Sequence, residues 1–233
     1  MLDAMGLKGA IEVIDGSSAL SDAVTSSFKG LSLASYEIEE RSGKSSVIDL
    51  SRVESKSDYY PKDHTLIYVD RSFNVKGVGV VVLGFVLSGS VSVHDKLRLL
   101  PSESEKFAEV KGIQISDEDY DSSERGVRIG LSLKGIELKD LSKVSWMDDD
   151  SYSVSTTLEF DFKPSVYYRQ PTFDRDLHLE ASGELLVARI VQGKSPNKRV
   201  AKLASAIPSW DGMSVCVIDL NSRPLRVVGG GTV

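Results

Sequence analysis

The sequence contains very little cysteine and no long hydrophobic segment. Its one cysteine, Cys216, excludes an internal disulfide and fits a reducing compartment. The longest apolar run, Val78 to Leu87, is about half the ~20 residues that a membrane-spanning helix needs, and no charged-then-apolar signal opens the chain. We therefore expect a cytoplasmic chain that does not insert into a membrane.

The motifs of catalysis and of tight nucleotide binding are also missing. Gly-Lys-Ser occurs at 43–45 and 193–195, but Ile38 and Ala188 replace the first glycine that a phosphate loop requires. The three histidines are isolated, and no Cys/His spacing predicts zinc. We therefore predict no catalytic residue, no metal site and no cofactor for the chain as given.

Charge is distributed unevenly along the chain, whose formal net charge is −6. Residues 1–63 and 64–150 each carry a net charge of −4, whereas residues 151–233 carry +2. A basic cluster surrounds a Pro-Asn turn in this last part and consists of Lys194, Lys198, Arg199 and Lys202. Such a tip can contact phosphates, although a solvated hairpin loop has the same composition. The composition of this tip is therefore compatible with either an RNA contact or a solvated loop. We do not expect DNA as a partner.

The pattern of secondary structure changes along the chain. The predicted elements are strands at 9–14 and 36–40, helices at 18–28 and 47–53, and, in the last part, strands at 155–162, 176–181, 184–192, 202–205, 213–220 and 225–228. Residues 1–57 therefore read as an α/β fragment with too few strands for a sheet of its own, and residues 58–63 as a linker. Short alternating stretches favour one β-barrel over residues 64–150 and another over residues 151–233. We predict a mainly β protein.

The segment from Asp70 to Gly89 carries the most specific signal. It reads Asp-Arg-Ser-Phe-Asn-Val-Lys-Gly-Val-Gly-Val-Val-Val-Leu-Gly-Phe-Val-Leu-Ser-Gly, and both rows of its strand are apolar, so we expect both faces to be covered. This run resembles the opening of domain II in the elongation factor Tu superfamily of translational GTPases, with SelB-type archaeal factors nearest. Segments 110–115, 126–135 and 138–146 continue that domain in order. Segment 217–233 resembles the end of domain III.

The resemblance identifies the α/β fragment as the end of a GTPase domain with degenerate nucleotide loops. Ile14, Asp15, Gly16 and Ser17 stand where the guanine-specificity loop is expected, and Ser42, Gly43 and Lys44 where a Ser-Ala-Lys loop is expected. Ser17 thus replaces the guanine-binding aspartate, and Asp15 replaces the stacking lysine. GTP and magnesium are cofactors of the family. We expect no GTPase activity from the chain as given, and GTP dependence only if a missing upstream half exists.

The resemblance also implies a binding site and its partners. An Asp-Arg pair at the start of domain II lies in the aminoacyl pocket of SelB-type factors, and Asp70 and Arg71 match it. Aspartate accepts hydrogen bonds from an amino group and arginine donates a fixed fork, although the pair could equally bridge two strand ends. The implied partners are aminoacyl-tRNA, contacted by this pair and the basic cluster, and the ribosome. The alternative function is a nucleotide-free docking module that binds the ribosome or a protein without tRNA cargo.

Overall fold

The amino-terminal part contributes a small parallel sheet and one helix. The computed structural model describes residues 10–14, 18–28, 37–41, 60–101, 105–168, 173–223 and 226–233. β1 (Ala10–Ile14) pairs in parallel with β2 (Glu37–Arg41), and α1 (Ser18–Ser27) lies between them in the chain. This order agrees with the α/β character predicted for the fragment. The helix predicted at 47–53 lies outside the described residues.

The middle of the chain forms a closed β-barrel. Its elements are β3 (Leu66–Val75), β4 (Gly79–Ser88), β5 (Ser90–Ser92), β6 (Lys96–Leu100), β7 (Phe107–Ile115), β8 (Glu118–Tyr120), β9 (Ser122–Glu124), β10 (Arg128–Lys134), a 3₁₀ helix (Leu138–Leu141) and β11 (Trp146–Asp148). The sheet runs in the order β10, β4, β3, β11, β6, β7, and it closes because β7 also pairs with β10. β8 extends the sheet beyond β7, and β5 and β9 form a separate ribbon.

Strand β4 is covered completely on one face only. Its inward row is buried in the barrel core and consists of Val80, Val82 and Val86. On the outward row, Leu83 is half-buried and Phe85 is 39% exposed. The expectation that both faces are covered is therefore wrong for part of the outer face. The physical reason is that the outer row faces away from the barrel core, beside charged side chains of neighbouring strands.

The rest of the chain forms a second curled sheet. Its strands are β12 (Ser153–Asp161), β13 (Lys163–Pro164), β14 (Arg175–Ala181), β15 (Glu184–Gln192), β16 (Lys198–Ser209), β17 (Ser214–Ile218) and β18 (Val227–Thr232). The sheet order is β12, β16, β15, β14, β17, β18, β13. Only Phe162 separates β12 from β13, so one segment pairs with β16 along its first part and with β18 along its last. The sheet thus curls back on itself, as a barrel does.

The glycine run near the end of the chain is part of this curled sheet. Gly229 and Gly231 lie inside β18, where the sheet turns back toward β12 and β13. A Cβ at Gly231 would collide with the carbonyl oxygen of Asp161. Glycine is therefore needed because the two backbones approach too closely for any side chain.

The two barrels share one apolar core at their joint. Leu66, Leu100 and Trp146 of the first barrel are buried in the cluster that fills the second barrel. Trp146 Nε1 also donates a hydrogen bond to the Ser182 carbonyl oxygen of the second barrel, at 3.0 Å. Burying these large apolar side chains at the joint holds the barrels in one relative position.

A buried ion pair lies beside this apolar joint. Arg98 donates to the carboxylate of Asp148 through Nε at 3.0 Å and Nη2 at 2.6 Å, and Nη2 also donates to the Tyr152 carbonyl oxygen at 2.8 Å. A second carboxylate, that of Asp150, pairs with Nη1. Arg98 on β6 therefore fixes the segment that leads from β11 into the second barrel.

Candidate nucleic-acid interface

A β-bulge in β3 displays the Asp-Arg pair that the sequence singled out. Val69 pairs with Gly84 and Arg71 pairs with Leu83, so Asp70 is an extra residue with no partner on β4. Bulges of this kind bend a strand and redirect its side chains. Asp70 and Arg71 are both exposed on the outer face of the first barrel. The structure thus brings the two predicted residues to one open surface.

Two side chains that the sequence analysis missed complete this surface, which we call the bulge site: Asp70, Arg71, Phe85 and Arg128. Arg128 begins β10, opposite Phe85 of β4. Its Nη2 lies 3.5 Å from Asp70 Oδ2, and its Cζ lies 5.8 Å from the centroid of the Phe85 ring. The Arg128 and Asp70 side chains remain 58% and 39% exposed, so solvent screens the pair and a ligand can displace it.

The second barrel reaches the edge of the bulge site. Tyr68, which pairs with Phe85 across β3 and β4, contacts Glu184 at the start of β15. Burial, the negative charge of Glu184 and a hydrogen bond to its carboxylate together raise the pKa of Tyr68 above its ordinary value. A Cβ on Gly183 would lie 3.6 Å from the Tyr68 ring. The site is therefore bordered by residues of both barrels.

The sheet beside the bulge site is apolar and has small residues in its neighbouring strand. Leu83 pairs with Gly130, and Val81 pairs with Ser132. Phe73, opposite Val81 on β3, is 37% exposed. Because glycine and serine project little from the sheet beside these apolar side chains, a planar group can approach the backbone there. The outer face thus combines an apolar floor with charges at one end.

The basic cluster lies on the hairpin that joins β15 to β16. Lys194 is exposed in the loop, and Lys202 is exposed on β16 opposite Arg189 of β15. Lys198 begins β16, where its Nζ lies 3.4 Å from Asp161 Oδ1. These three lysines form the solvent-facing part of the cluster, and a phosphate can compete for each of them.

Arg199 differs from the other members of the basic cluster because its side chain turns inward. Its guanidinium carbon lies 5.0 Å from the centroid of the Phe162 ring and 4.2 Å from that of Phe173. Burial lowers the pKa of Arg199 below its ordinary value. Arginine remains charged in proteins, so the guanidinium is a cation held on two aromatic faces.

The degenerate nucleotide loops fall almost entirely outside the described residues. Ile14 ends β1, whereas Asp15, Gly16, Ser17, Ser42, Gly43 and Lys44 all lie outside. Within the part of the chain that the structure describes, no group of three or more His, Cys, Asp or Glu side chains could hold a metal ion. No helix among the described residues is long and apolar enough to span a membrane.

The same fold occurs in solved translation factors. The apo structure of SelB from Methanococcus maripaludis matches with a TM-score of 0.75 at 18% identity, covering 99% of this chain and 60% of that chain. The bacterial selenocysteine-specific elongation factor EF-Sec matches with a TM-score of 0.75 at 19% identity, covering 99% of this chain and 40% of that chain. The chain therefore shares the two-barrel fold of these solved factors. It spans 60% or less of the length of these solved chains.

Sequence comparisons show similarity to translation elongation factors. Residues 79–145 match the family model of elongation factor Tu domain 2. The selenocysteine-specific elongation factor of Methanocaldococcus jannaschii is 41% identical over 73 residues, which cover 31% of this chain and 15% of that protein. The uncharacterized protein MJ0325 of the same organism is 29% identical over 230 residues, covering 99% of this chain and 73% of that protein. The chain is therefore similar to translation factors of the elongation factor Tu/SelB type, most clearly over residues 79–145.

Proposed function

We propose that the protein acts in translation as an elongation factor of the Tu/SelB type, binding aminoacyl-tRNA across its two barrels and the ribosome through its first barrel. The observation that carries this proposal is the bulge site, where Asp70, Arg71, Arg128 and Phe85 meet on one exposed face. The aminoacyl end of the tRNA would bind there, and the tRNA backbone would contact the basic cluster.

The chemistry of the bulge site suits the charged end of a tRNA. The Asp70 carboxylate can accept hydrogen bonds from the α-amino group of an aminoacyl ester, which a deacylated tRNA lacks. Arg71 has no ion pair with another described residue and can donate a fork to a phosphate. The exposed Phe85 ring offers a face on which a terminal base can stack.

The charge of the second barrel suits the backbone of the same ligand. Residues 151–233 carry a net charge of +2, and the exposed lysines of the basic cluster lie at one hairpin. Contacts between lysines and phosphates release counterions, so binding should weaken as salt rises. A protein partner held by the apolar outer face alone would show a much weaker dependence on salt.

GTP does not fit the residues at the expected guanine-binding position. Ser17 stands where a carboxylate would accept hydrogen bonds from the guanine ring, and Asp15 stands where a lysine would stack on it. A hydroxyl can replace only part of that acceptor set. Any dependence on GTP and magnesium would therefore come from a phosphate-loop segment that this sequence does not include.

The variant Arg71→Ala tests the role of the bulge site. Lys76→Ala removes an exposed cation from the turn between β3 and β4 and serves as the matched control. We expect Arg71→Ala to weaken the binding of aminoacyl-tRNA by about 10- to 150-fold, since hydrogen bonds to charged groups contribute roughly 1.5–3 kcal/mol, while Lys76→Ala has a smaller effect. Filter binding at low salt measures both variants.

The same assay separates the two candidate functions. Unchanged affinity in Arg71→Ala would remove the bulge site from the proposal. Co-sedimentation of the protein with ribosomes in the absence of charged tRNA, together with no tRNA retention on the filter, would favour the docking module instead. The exposed Phe73 and Phe85 on the outer face are the feature that such a module would use.

A further inference from the structure

The inward side chain of Arg199 has no counterion among the described residues. No described carboxylate forms an ion pair with it, and its Nε is buried without a hydrogen-bond partner. The rings of Phe162 and Phe173, which pack edge to face at 5.2 Å, hold the guanidinium instead. The guanidinium is thus held by two aromatic faces and not by a carboxylate. Its function must lie in what the remaining donors reach.

Those donors bind the carbonyl groups of the hairpin loop. Arg199 Nη1 donates to the carbonyl oxygens of Pro196 and Lys198, both at 2.8 Å. Gln192 Nε2 donates to the Ser195 carbonyl oxygen at 2.7 Å, and the backbone N–H of Gly193 donates to Lys198 O at 2.9 Å. The loop therefore has most of its acceptors turned toward its own strands.

This orientation has an electrostatic consequence for the outer side of the loop. The carbonyl oxygens are the negative ends of the peptide dipoles, and here they face Arg199 and Gln192. The exposed Lys194 ammonium therefore lies on the solvent side of the loop, away from these carbonyl oxygens. An ordered loop also loses less conformational entropy when a polyanion binds.

We propose that Arg199 is a positioning residue of the basic cluster: it orders the loop between Gln192 and Arg199 so that Lys194 and Lys198 face an RNA backbone, and it makes no phosphate contact itself. The RNA part of this inference rests on the proposed function. The ordering of the loop does not, and it can be measured without any ligand.

Salt titration of tRNA binding distinguishes a positioning residue from a contact residue. Lys194→Ala removes one phosphate contact, so the slope of log affinity against log salt should become shallower by about 0.7–0.9. Arg199→Lys keeps the charge and removes the fork that binds two carbonyl groups. We expect it to weaken binding about 3- to 10-fold, as loss of a hydrogen bond or two implies, with an unchanged slope.

A double-mutant cycle and two further variants sharpen the test. If Arg199 acts through Lys194, the effect of Lys194→Ala should shrink when Arg199→Lys is already present. Gln192→Ala removes another hydrogen bond to the loop and leaves the two aromatic rings in place. It should weaken tRNA binding less than Arg199→Lys does, again with an unchanged salt slope. Arg189→Lys makes the same exchange at an exposed site of this hairpin, where the arginine pairs with Asp174 and Asp176. It should change neither the affinity for tRNA nor the salt slope.

Hydrogen exchange reports on the loop itself. The amides of Gly193 and Lys198, which donate to Lys198 O and Ser195 O, should exchange faster in Arg199→Lys while the amides of β14 do not. Three results would overturn the positioning role of Arg199. They are a salt slope that becomes as shallow in Arg199→Lys as in Lys194→Ala, an unchanged tRNA affinity in Arg199→Lys, and additive effects of the two substitutions on that affinity. If the wild-type protein binds no tRNA, the proposed function fails, and unchanged exchange would separately disprove the ordering role.

Discussion

Removing Arg98 tests whether the joint between the barrels depends on its buried ion pair. Asp148 is 0% exposed and receives hydrogen bonds of 3.0 and 2.6 Å from Arg98. In Arg98→Met the carboxylate stays buried without that partner, which should lower the free energy of unfolding by about 3–5 kcal/mol. Replacing both partners, by Arg98→Met with Asp148→Leu, also removes the buried charge. We therefore expect the double variant to recover most of the loss.

The loss of stability in Arg98→Met should also depend on pH. Burial raises the pKa of Asp148 in the native protein although the hydrogen bonds from Arg98 oppose it, and without Arg98 that pKa rises further above the unfolded value of about 3.9. A carboxyl group with a raised folded pKa lowers stability above that pKa, and the penalty disappears as pH falls. The difference between wild type and Arg98→Met should therefore be largest near neutral pH and shrink toward acid.

Urea unfolding followed by tryptophan fluorescence measures these differences, because Trp146 is buried at the same joint. Two results would contradict this role of the Arg98–Asp148 ion pair. The first is equal stability of wild type and Arg98→Met at neutral pH. The second is a double variant that is no more stable than Arg98→Met.

Three other predictions concern single residues. Gly231→Ala should lower the free energy of unfolding by about 1–3 kcal/mol or more, because the new Cβ collides with Asp161 O. Gly130→Ala is the control in urea unfolding, because its Cβ makes only ordinary contacts, with Leu83 Cδ2 at 3.5 Å and with Gln114 Cβ and O at 3.9 Å. Burial and the charge of Glu180 raise the pKa of Tyr60 to about 12. Unfolded tyrosine ionises near 10, so Tyr60 should contribute a fall in stability from about pH 10 to 12, and Tyr60→Phe should make that fall smaller. Burial raises the pKa of Cys216 to about 11, so a thiol reagent should label it only after unfolding, and rapid labelling of the native protein would contradict this.

The sequence predicts strands well where alternation is local. The strand predicted at 184–192 is β15 with the same bounds. The strand predicted at 202–205 extends instead from Lys198 to Ser209, because β16 pairs with β12 on one side and with β15 on the other. These partners are distant in the chain, so a short window of sequence does not contain the pairing that lengthens the strand.

The candidate site could be predicted only in part for the same reason. Asp70 and Arg71 belong to one continuous family pattern, so the sequence locates them. Arg128 reaches Asp70 only because the barrel places the start of β10 beside β4, and Glu184 reaches Tyr68 only because the second barrel packs against the first. The inward turn of Arg199 likewise depends on Phe173, which no local pattern connects with the basic cluster.

Filter binding tests most directly whether the two barrels bind charged tRNA, as we propose. The binding of the wild-type chain to aminoacyl-tRNA is compared with its binding to the same tRNA deacylated, each at low and at high salt. We predict retention of both at low salt, tighter binding of the aminoacylated form, and a steep loss of affinity with salt. No retention of aminoacyl-tRNA at low salt would contradict the proposed function.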